Sequence, residues 1–434
     1  MKKSLFIVAL GAFALTSCSQ DEVLDVQKDA VQFSVVADKA SRGAVTTTAN
    51  IDNFTVTAFN VETTGGGDKV NGTTFMNLNK VELKDGKWVP GITKFWPTEG
   101  AINFYSYSPS NLENVSIAAS AQTIKHTVPS VCKDQIDILY ALNTEMTKAD
   151  GNVAVNFRHA LSQIVFKARN SKSDLKVIVQ GVRVVNLLTS GTLSWPTKDT
   201  YENYNHSELP ANGGTGDGLT DAATQVDESW GTWDLSGSDF ACYPAAMAGA
   251  SDATPTITEI TLASDAAELS NMTNPLLVMP QTLKPATVEN GDMVATAGQQ
   301  YFAIMCKIYS IDPTTSTETL VWPSTEGYAE VVIPVASPDK DKDGKDAWKQ
   351  GRKYVYTFVF GEGAGYVGPD GDTPVTKDPI AKEDPITNPD ADVNGPGEPV
   401  LVPVTFTVSV DQFQTVQQDT DMNTGNTVSD AVQP

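Results

Sequence analysis

Cys18 is the residue with the clearest chemical signature in this 434-residue sequence. It follows two N-terminal lysines and an apolar run at residues 5–15, which has the length of a secretory signal and is too short to span a bilayer. The small pair Thr16-Ser17 stands directly before the cysteine, as at sites where a diacylglycerol is attached to the sulfur and the signal is then removed. The sequence predicts a signal peptide over residues 1–17 and a lipid anchor at Cys18. An ordinary signal peptide with an incidental cysteine is the alternative.

A second candidate for covalent chemistry is the polar stretch at residues 38–43, which contains Lys39 and Arg42. It follows residues 31–37, in which apolar side chains alternate with polar ones as in a half-buried strand. Exposed polar segments are preferred sites of proteolysis. We therefore expect the strand at residues 31–37 to be detachable from the rest of the chain.

Acid–base, nucleophilic and phosphate-binding motifs are missing from the sequence. It contains three histidines and no HExxH, CxxC, GxSxG or P-loop pattern. His159 has no nucleophile or metal ligand near it in sequence, which favours a structural role. We predict that the protein is not an enzyme and holds no cofactor.

The stretch 339–344, with sequence DKDKDG, resembles the start of a calcium-binding loop through Asp339, Asp341 and Asp343. The twelfth position of such a loop is normally a bidentate glutamate, and here it is Gln350. Lys340, Lys342 and Lys345 within the loop also oppose a divalent cation. A solvated hairpin loop is therefore favoured, and calcium stays the weaker alternative.

The remaining cysteines, Cys132, Cys242 and Cys306, lie far apart, and the last two sit in apolar runs. An odd number of such residues favours buried thiols, although a disulfide between two of them stays open.

The net charge of −23, from 30 basic and 53 acidic residues, argues against nucleic acids and anionic lipid headgroups as partners.

The secondary structure of the chain is predicted to consist of β-strands. Short segments rich in β-branched and aromatic residues are bounded by Gly, Asn, Asp or Pro, and long helical periodicity is absent. Apolar landmarks at 104, 138 and 164 return at 240, 276 and 302 with similar spacing, which indicates two similarly built halves. We place the boundary at the polar break 170–174 and predict an all-β protein of two tandem sandwiches.

Residues 201–227 form a polar, Gly-rich insertion in the second half, flanked by aromatic side chains. These aromatic residues would be able to stack on sugar rings, and they are Tyr201, Tyr204, Trp230 and Trp233. A monomeric glycan-binding surface lipoprotein is therefore an alternative function.

Residues 361–399 hold seven glycines, seven prolines and nine acidic residues, a composition typical of a linker. Beyond it lies an apolar strand at residues 400–410, whose alternate positions share one face. These positions are Val400, Val402, Val404, Phe406, Val408 and Val410. Such a strand must pair with another one, because an exposed apolar edge aggregates. Two detachable strands, one at each end of a β-rich body, indicate strand exchange between subunits.

Several blocks of the sequence resemble the fimbrillins, the type V pilin lipoproteins. They are the cysteine at 18 and residues 31–43, 95–109, 135–141, 157–167, 277–281 and 348–356. The resemblance implies two transthyretin-like β-sandwich domains, export to the outer membrane as a lipoprotein, and cleavage after Arg42 by an arginine-specific protease. It also implies that the opened groove accepts the strand at 400–410 of a neighbouring fimbrial subunit.

The resulting organisation is a signal peptide (1–17), a propeptide with a removable strand (18–42), two sandwiches (43–172 and 173–360), a linker (361–399) and a C-terminal strand and tail (400–434). Asp21 and Glu22, just after the lipidated cysteine, resemble a signal for the outer face of the outer membrane. The expected partners are other fimbrial subunits, the protease and the outer membrane. The expected function is that of a structural or accessory fimbrial subunit that supports adhesion.

Overall fold

A computed structural model describes residues 30–36, 51–200, 230–235, 240–250, 258–361, 363–372, 374, 386, 396–401 and 405–412. This part of the chain is built from strands, with two short 3-10 turns at Cys132–Asp134 and Lys148–Asp150 and no α-helix. The prediction of an all-β fold is confirmed. Over the same residues, no helix is long and apolar enough to cross a membrane.

The strands, in chain order, are β1 (Phe33–Val36), β2 (Asn53–Thr63), β3 (Lys69–Lys84), β4 (Lys87–Pro90), β5 (Ile102–Ser108), β6 (Val115–Ala118), β7 (Ala121–Thr127), β8 (Leu139–Met146), β9 (Val153–Asn156), β10 (Arg158–His159), β11 (Ser162–Asn170), β12 (Leu175–Leu188), β13 (Ser190–Ser194) and β14 (Thr232–Asp234). They continue as β15 (Phe240–Pro244), β16 (Ile260–Thr261), β17 (Ala267–Glu268), β18 (Leu276–Val278), β19 (Gln281–Thr282), β20 (Thr287–Glu289), β21 (Asp292–Val294), β22 (Tyr301–Ile311), β23 (Glu318–Trp322), β24 (Ala329–Pro334), β25 (Ala347–Trp348), β26 (Arg352–Phe360), β27 (Tyr366–Val367) and β28 (Thr405–Gln412).

The first body is centred on an eight-stranded sheet in the order β10-β8-β5-β2-β3-β4-β1-β9. Because successive side chains of a strand point to opposite faces, this sheet contributes side chains to two hydrophobic cores, one on each face. Phe54 and Phe104 enter a core on one face. Tyr105 and Tyr140 enter a core on the other face. A four-stranded sheet in the order β14-β13-β7-β6 covers this second core, and its strands β7 and β13 contribute side chains to it. The central strands are consequently buried on both sides.

The second body pairs a sheet in the order β17-β11-β26-β28 with a sheet in the order β15-β12-β22-β24-β27. Their shared core contains Phe166, Phe302 and Phe358. A further core on the other face of the second sheet contains Tyr301 and Ile386. The transthyretin-like topology implied by the resemblance stays a prediction for both bodies.

The chain does not change from one body to the other at the expected break, residues 170–174. Strand β11 already belongs to the second body, because it runs parallel to β26 from Gln163↔Lys353 to Asn170↔Phe360. Conversely, β13 follows the break in sequence but belongs to the first body, where it pairs with β7. The repeat suggested by spacing is therefore not a structural repeat, because its landmarks at 164 and 302 lie in one body. Partners distant in sequence decide which core a strand joins.

The segment expected to be a linker, residues 361–399, is attached to the second body wherever the structure describes it. Strand β27 pairs with β24, and Ala364 and Val367 are fully buried. Ile386 is also fully buried and forms a bridge with Ala295. A few apolar residues, spaced along a polar stretch, are enough to hold it against the core.

Candidate functional site

The N-terminal strand β1 is inserted between β4 and β9. It runs parallel to β9, with Phe33 opposite Val153 and Val36 opposite Asn156, and antiparallel to β4. The amide of Val153 donates a hydrogen bond to the carbonyl oxygen of Gln32 at 2.8 Å. The strand is thus a member of the sheet, held among the described residues by its pairing and packing with segments that are distant in sequence.

The inward side chains of this strand fill the core of the first body. Val31 and Phe33 are buried, at 2% and 5% relative exposure. The ring of Phe33 meets Phe54 and Phe104 edge to face, with centroids 5.8 Å and 6.0 Å apart. Removing a buried phenylalanine side chain costs about 3–5 kcal/mol in typical cores. Loss of β1 would therefore leave an apolar slot between β4 and β9.

The connection from β1 to β2 covers residues 37–52, because β1 ends at Val36 and β2 begins at Asn53. Arg42 lies in this connection, outside the described residues, as does Cys18 before β1. Strand β2 is not a sheet neighbour of β1, since it pairs with β3 and β5. A cut in the connection would leave β1 held by noncovalent contacts alone.

The C-terminal strand β28 lies at the edge of the second body. It pairs antiparallel with β26 over eight residues, from Arg352↔Gln412 to Val359↔Thr405. Val408 and Val410 pack against the core, and Val400 is buried with its amide bonded to the carbonyl of Gly365 at 2.8 Å. Phe406 is described only through its backbone pairing, opposite Phe358, and Val402 and Val404 lie outside the described residues.

The aspartates of the loop at 339–344 have separate partners. Tyr354 donates its hydroxyl hydrogen to Asp339 Oδ2 at 2.6 Å. Asp341 Oδ1 accepts the amides of Asp343 and Lys345 at 2.8 Å and 2.9 Å, and the Lys345 amide is the main cause that lowers the pKa of Asp341. Within the described chain, no three His, Cys, Asp or Glu side chains are grouped to hold a metal ion.

Cys132, Cys242 and Cys306 are buried, and no disulfide links them. Burial raises the pKa of the Cys132 thiol to about 11 and also raises that of Cys306. The thiols of Cys132 and Cys306 are therefore poor nucleophiles at neutral pH, because the thiolate is the reactive form. His159 pairs through Nδ1 with Asp137, 3.0 Å from each carboxylate oxygen.

Trp230 and Trp233 pack against the first body. The ring centroid of Trp230 is 4.4 Å from the guanidinium carbon of Arg158. The indole N–H of Trp233 donates to the carbonyl of Ala160 at 2.7 Å, and both rings contact the core of Tyr140. Side chains engaged in this way do not form an open stacking platform for sugars. Tyr201 and Tyr204 lie outside the described residues.

The walls of the β1 slot are the part of this site that sequence reasoning missed. Phe54 and Phe104 lie on segments recognisable as strands, but nothing in their sequence shows which residue fills the space between them. Strand β9 is four residues long, and its pattern of buried side chains is too short to mark it as a pairing partner.

The fold defines an all-β protein in which a short terminal strand completes one body and a second terminal strand borders the other. A family model described as fimbrillin-like matches residues 39–376, and the chain belongs to this family. This confirms the resemblance noted in the sequence and classes the protein with fimbrial and cell-adhesion proteins.

Solved structures of fimbrial proteins are similar to the chain. A fimbrial protein from Bacteroides vulgatus is 18% identical, with a TM-score of 0.49, over 77% of this chain and 95% of that one. The tip fimbrial protein Mfa3 from Porphyromonas gingivalis, with C-terminal truncation, is 10% identical, with a TM-score of 0.31, over 83% of this chain and 94% of that one. No curated protein matches the chain significantly.

Proposed function

We propose that this protein is a structural or accessory subunit of a surface fimbrium that assembles by exchange of strands between subunits. One observation carries the proposal: β1 fills a slot in the first body, between β4 and β9, and the segment that follows it in sequence, residues 37–52, contains Arg42. A single cut there converts an internal strand into a removable one.

The acceptor slot would then be filled by the C-terminal strand of another subunit. Six alternate apolar residues, Val400 to Val410, supply one face of that strand. Their burial is worth on the order of 10 kcal/mol as an upper estimate, and main-chain hydrogen bonds add direction. Donation requires that β28 first leaves β26, with which it pairs in its own chain.

Export and anchoring complete the proposal. Cys18 would carry the lipid that holds the precursor in the outer membrane, and an arginine-specific protease would cut after Arg42 at the cell surface. The function is assembly and adhesion rather than catalysis. The packed Trp230 and Trp233 give the glycan-binding alternative no support.

The test is to treat the purified, unlipidated protein with an arginine-specific protease and run it without boiling on a denaturing gel. A cut at Arg42 followed by a heat-sensitive ladder is expected. Arg42→Ala should abolish both, and a variant that lacks residues 400–434 should be cut without forming a ladder.

Other outcomes would change the assignment. A clean cut without a ladder in the full-length protein would contradict self-assembly and indicate a tip or accessory subunit that needs a different partner. Absence of cleavage would favour an anchor subunit or a monomeric binding lipoprotein. A ladder formed by the variant without residues 400–434 would refute the role of the C-terminal strand.

A further inference from the structure

Strands β11 and β26 of the second body form the longest parallel pair in the described part of the chain. Eight residue pairs join them, from Gln163↔Lys353 to Asn170↔Phe360. In a parallel pair the main-chain hydrogen bonds are evenly spaced along the strands. Because the two strands run in the same direction, both begin at one end of the second body and both finish at the other.

Both strands begin at the junction with the first body. Only Ala160 and Leu161 separate β10, a strand of the first body, from β11. The amide of Gly351, just before β26, donates to the carbonyl of Leu161 at 2.9 Å. Tyr140 of the first body donates its hydroxyl hydrogen to Gln350 Oε1, also at 2.9 Å. The first body therefore holds this end of the strand pair covalently and by hydrogen bonds.

Both strands finish at the opposite end of the second body. The amide of Ser171, just after β11, donates to the carbonyl of Phe360, the last residue of β26, at 2.8 Å. Beyond Phe360 the described chain is held by shorter contacts. Strand β27 pairs with β24 over two residues, and the Val400 amide donates to the carbonyl of Gly365 at 2.8 Å. A pull on residue 401 would release these contacts one after another and then reach the far end of β26.

Four aromatic side chains hold β26 against sliding. They alternate along the strand, each is at most 1% exposed, and they are Tyr354, Tyr356, Phe358 and Phe360. The Tyr356 hydroxyl donates to the carbonyl of Ala336 at 2.6 Å. The ring of Phe358 stacks on Phe166 of β11, with centroids 5.8 Å apart and 16° between the ring planes. Because a protein core is close-packed, β26 can slide along β11 only if these rings leave their places together.

We propose that the pair β11–β26 is a mechanical clamp that carries the tension of the assembled fimbrium through each subunit. This inference rests on the proposed strand exchange, which fixes where tension enters and leaves. Tension enters through the first body, whose slot holds the strand of one neighbour. It leaves at residue 401, because the chain's own C-terminal strand is held by the other neighbour. It therefore pulls β11 from its beginning and β26 from its end, in opposite directions along the strand axis.

This direction of pull loads the eight residue pairs in shear. All main-chain hydrogen bonds between the two strands share the force and must break together, whereas strands separated from one end lose their bonds one at a time. Forced unfolding is governed by the unfolding rate, and a step in which many bonds break at once has the higher barrier. Departure of β28 leaves β11 as the one described sheet neighbour of β26, so no other described strand shares the load.

Single-molecule pulling on the unlipidated Cys18→Ser protein, in two directions, tests the clamp. DNA handles are coupled to an azide-bearing amino acid placed at two exposed positions. The shear pair combines Lys125, on β7 of the first body, with Leu401. The matched control combines Lys172, just after β11, with Leu401, so that the force separates the far ends of β11 and β26.

The pair 125/401 should rupture at a higher force than the pair 172/401 at the same pulling speed. Earlier unfolding of the first body does not remove the shear, because the chain would still pull β11 from its beginning. Equal forces in the two directions, or a higher force for 172/401, would overturn the clamp. The comparison changes the direction of pull and not the packing, so a difference in overall stability cannot produce it.

A disulfide staple identifies the structure that breaks. Lys167 lies opposite Thr357. Neighbouring strands are about 4.8 Å apart, within the Cα separation of about 4.4–6.8 Å that a disulfide spans. The oxidised variant K167C/T357C should lose the strongest rupture of the 125/401 pair. Its full extension should shorten by about 630–680 Å, because the chain between two positions 190 residues apart stays closed.

The control staple is K176C/Y309C, which joins β12 to β22 and does not bridge the clamp. This variant should keep the strongest rupture when oxidised. If oxidised K167C/T357C kept that rupture, or if oxidised K176C/Y309C lost it, another part of the second body would resist the force and the clamp would be refuted.

These measurements use single monomers and need no polymer. Equal forces in the two directions would refute the clamp and leave the ladder of the gel assay unaffected. Absence of that ladder would refute strand exchange, and with it the role of the clamp in a fimbrium, whatever the two forces are.

Discussion

The rings of Phe33 and Phe104 meet edge to face with centroids 6.0 Å apart, although β2, β3 and β4 separate their strands in the sheet. Contact across three intervening strands is possible because the sheet curls around a common core. Strand β1 therefore stabilises the whole first body and not only its two sheet neighbours. We therefore expect its removal to expose an apolar slot in the core of the first body.

Phe33→Ala is expected to lower the free energy of unfolding of the first body by about 3–5 kcal/mol, because it leaves a cavity among aromatic rings. Phe95→Ala is the matched control. Phe95 forms a bridge with Ala30, just before β1, but its side chain is 46% exposed, and its loss should cost about 1 kcal/mol or less. Chemical denaturation measures both, and equal losses would contradict the assigned role of Phe33.

Arg183 and Glu330 form a buried, bidentate ion pair in the second body, with both N–O distances at 2.6 Å. Glu330→Gln should destabilise the protein by about 3–5 kcal/mol, because it leaves the guanidinium without its carboxylate in a buried site. The double change Arg183→Met with Glu330→Leu should recover most of this loss.

The control for this pair is the exposed ion pair between Lys176 and Glu318. Glu318→Gln should change the free energy of unfolding by less than about 1 kcal/mol. A loss of the same size as that of Glu330→Gln would show that burial is not the reason for the effect.

His126 should make stability depend on pH below neutrality. Burial lowers the pKa of its imidazole from 6.5 to about 4, and its Nε2 has no hydrogen-bond partner among the described residues. Between these values the unfolded chain binds a proton that the folded chain does not, so stability falls as the pH falls. The expected loss from pH 7 to pH 5 is about 2 kcal/mol.

His126→Gln should remove this part of the pH dependence. The quantity to measure is the difference between wild type and variant in the free energy of unfolding, at pH 7 and at pH 5. Carboxylates contribute to both proteins and cancel in the comparison. An unchanged difference would show that His126 is protonated equally in the folded and unfolded states.

The three buried cysteines should resist a thiol-specific disulfide reagent in the native Cys18→Ser protein. After complete unfolding, all three should react, because exposure restores both access and the ordinary thiol pKa. Fast reaction of any of them in the native state would contradict the burial of Cys132, Cys242 and Cys306.

Calcium is not expected to raise the thermal unfolding midpoint. The Asp341 carboxylate already accepts backbone amides, and Lys340 and Lys342 pair with Asp346 and Asp343. Titration with calcium, with magnesium as the control ion, tests this. A rise in the midpoint specific to calcium, and its loss in Asp341→Asn, would instead assign a metal site to the loop.

The all-β class, the strand within residues 31–37 and the alternation in β28 can be predicted from the sequence, although the described strand begins at Thr405 and not at Val400 as expected. Alternation of apolar and polar side chains is a local property, and a half-buried strand displays it wherever it pairs. For this reason the sequence alone identifies Phe33, Val408 and Val410 as strand residues that face a core, as the structure has them.

The assignment of strands to bodies was decided by the tertiary structure alone. Strand β11 joins the second body through parallel pairing with β26, whose paired residues lie 190 positions later, and β13 returns to the first body. The spacing of sequence landmarks predicts a domain boundary between β11 and β13, because spacing reports only which segments follow one another along the chain. Pairing between distant strands depends on which edges and cores fit one another, and sequence spacing carries no information on that fit. For the same reason the sequence does not show that Phe54 and Phe104 form the walls around Phe33.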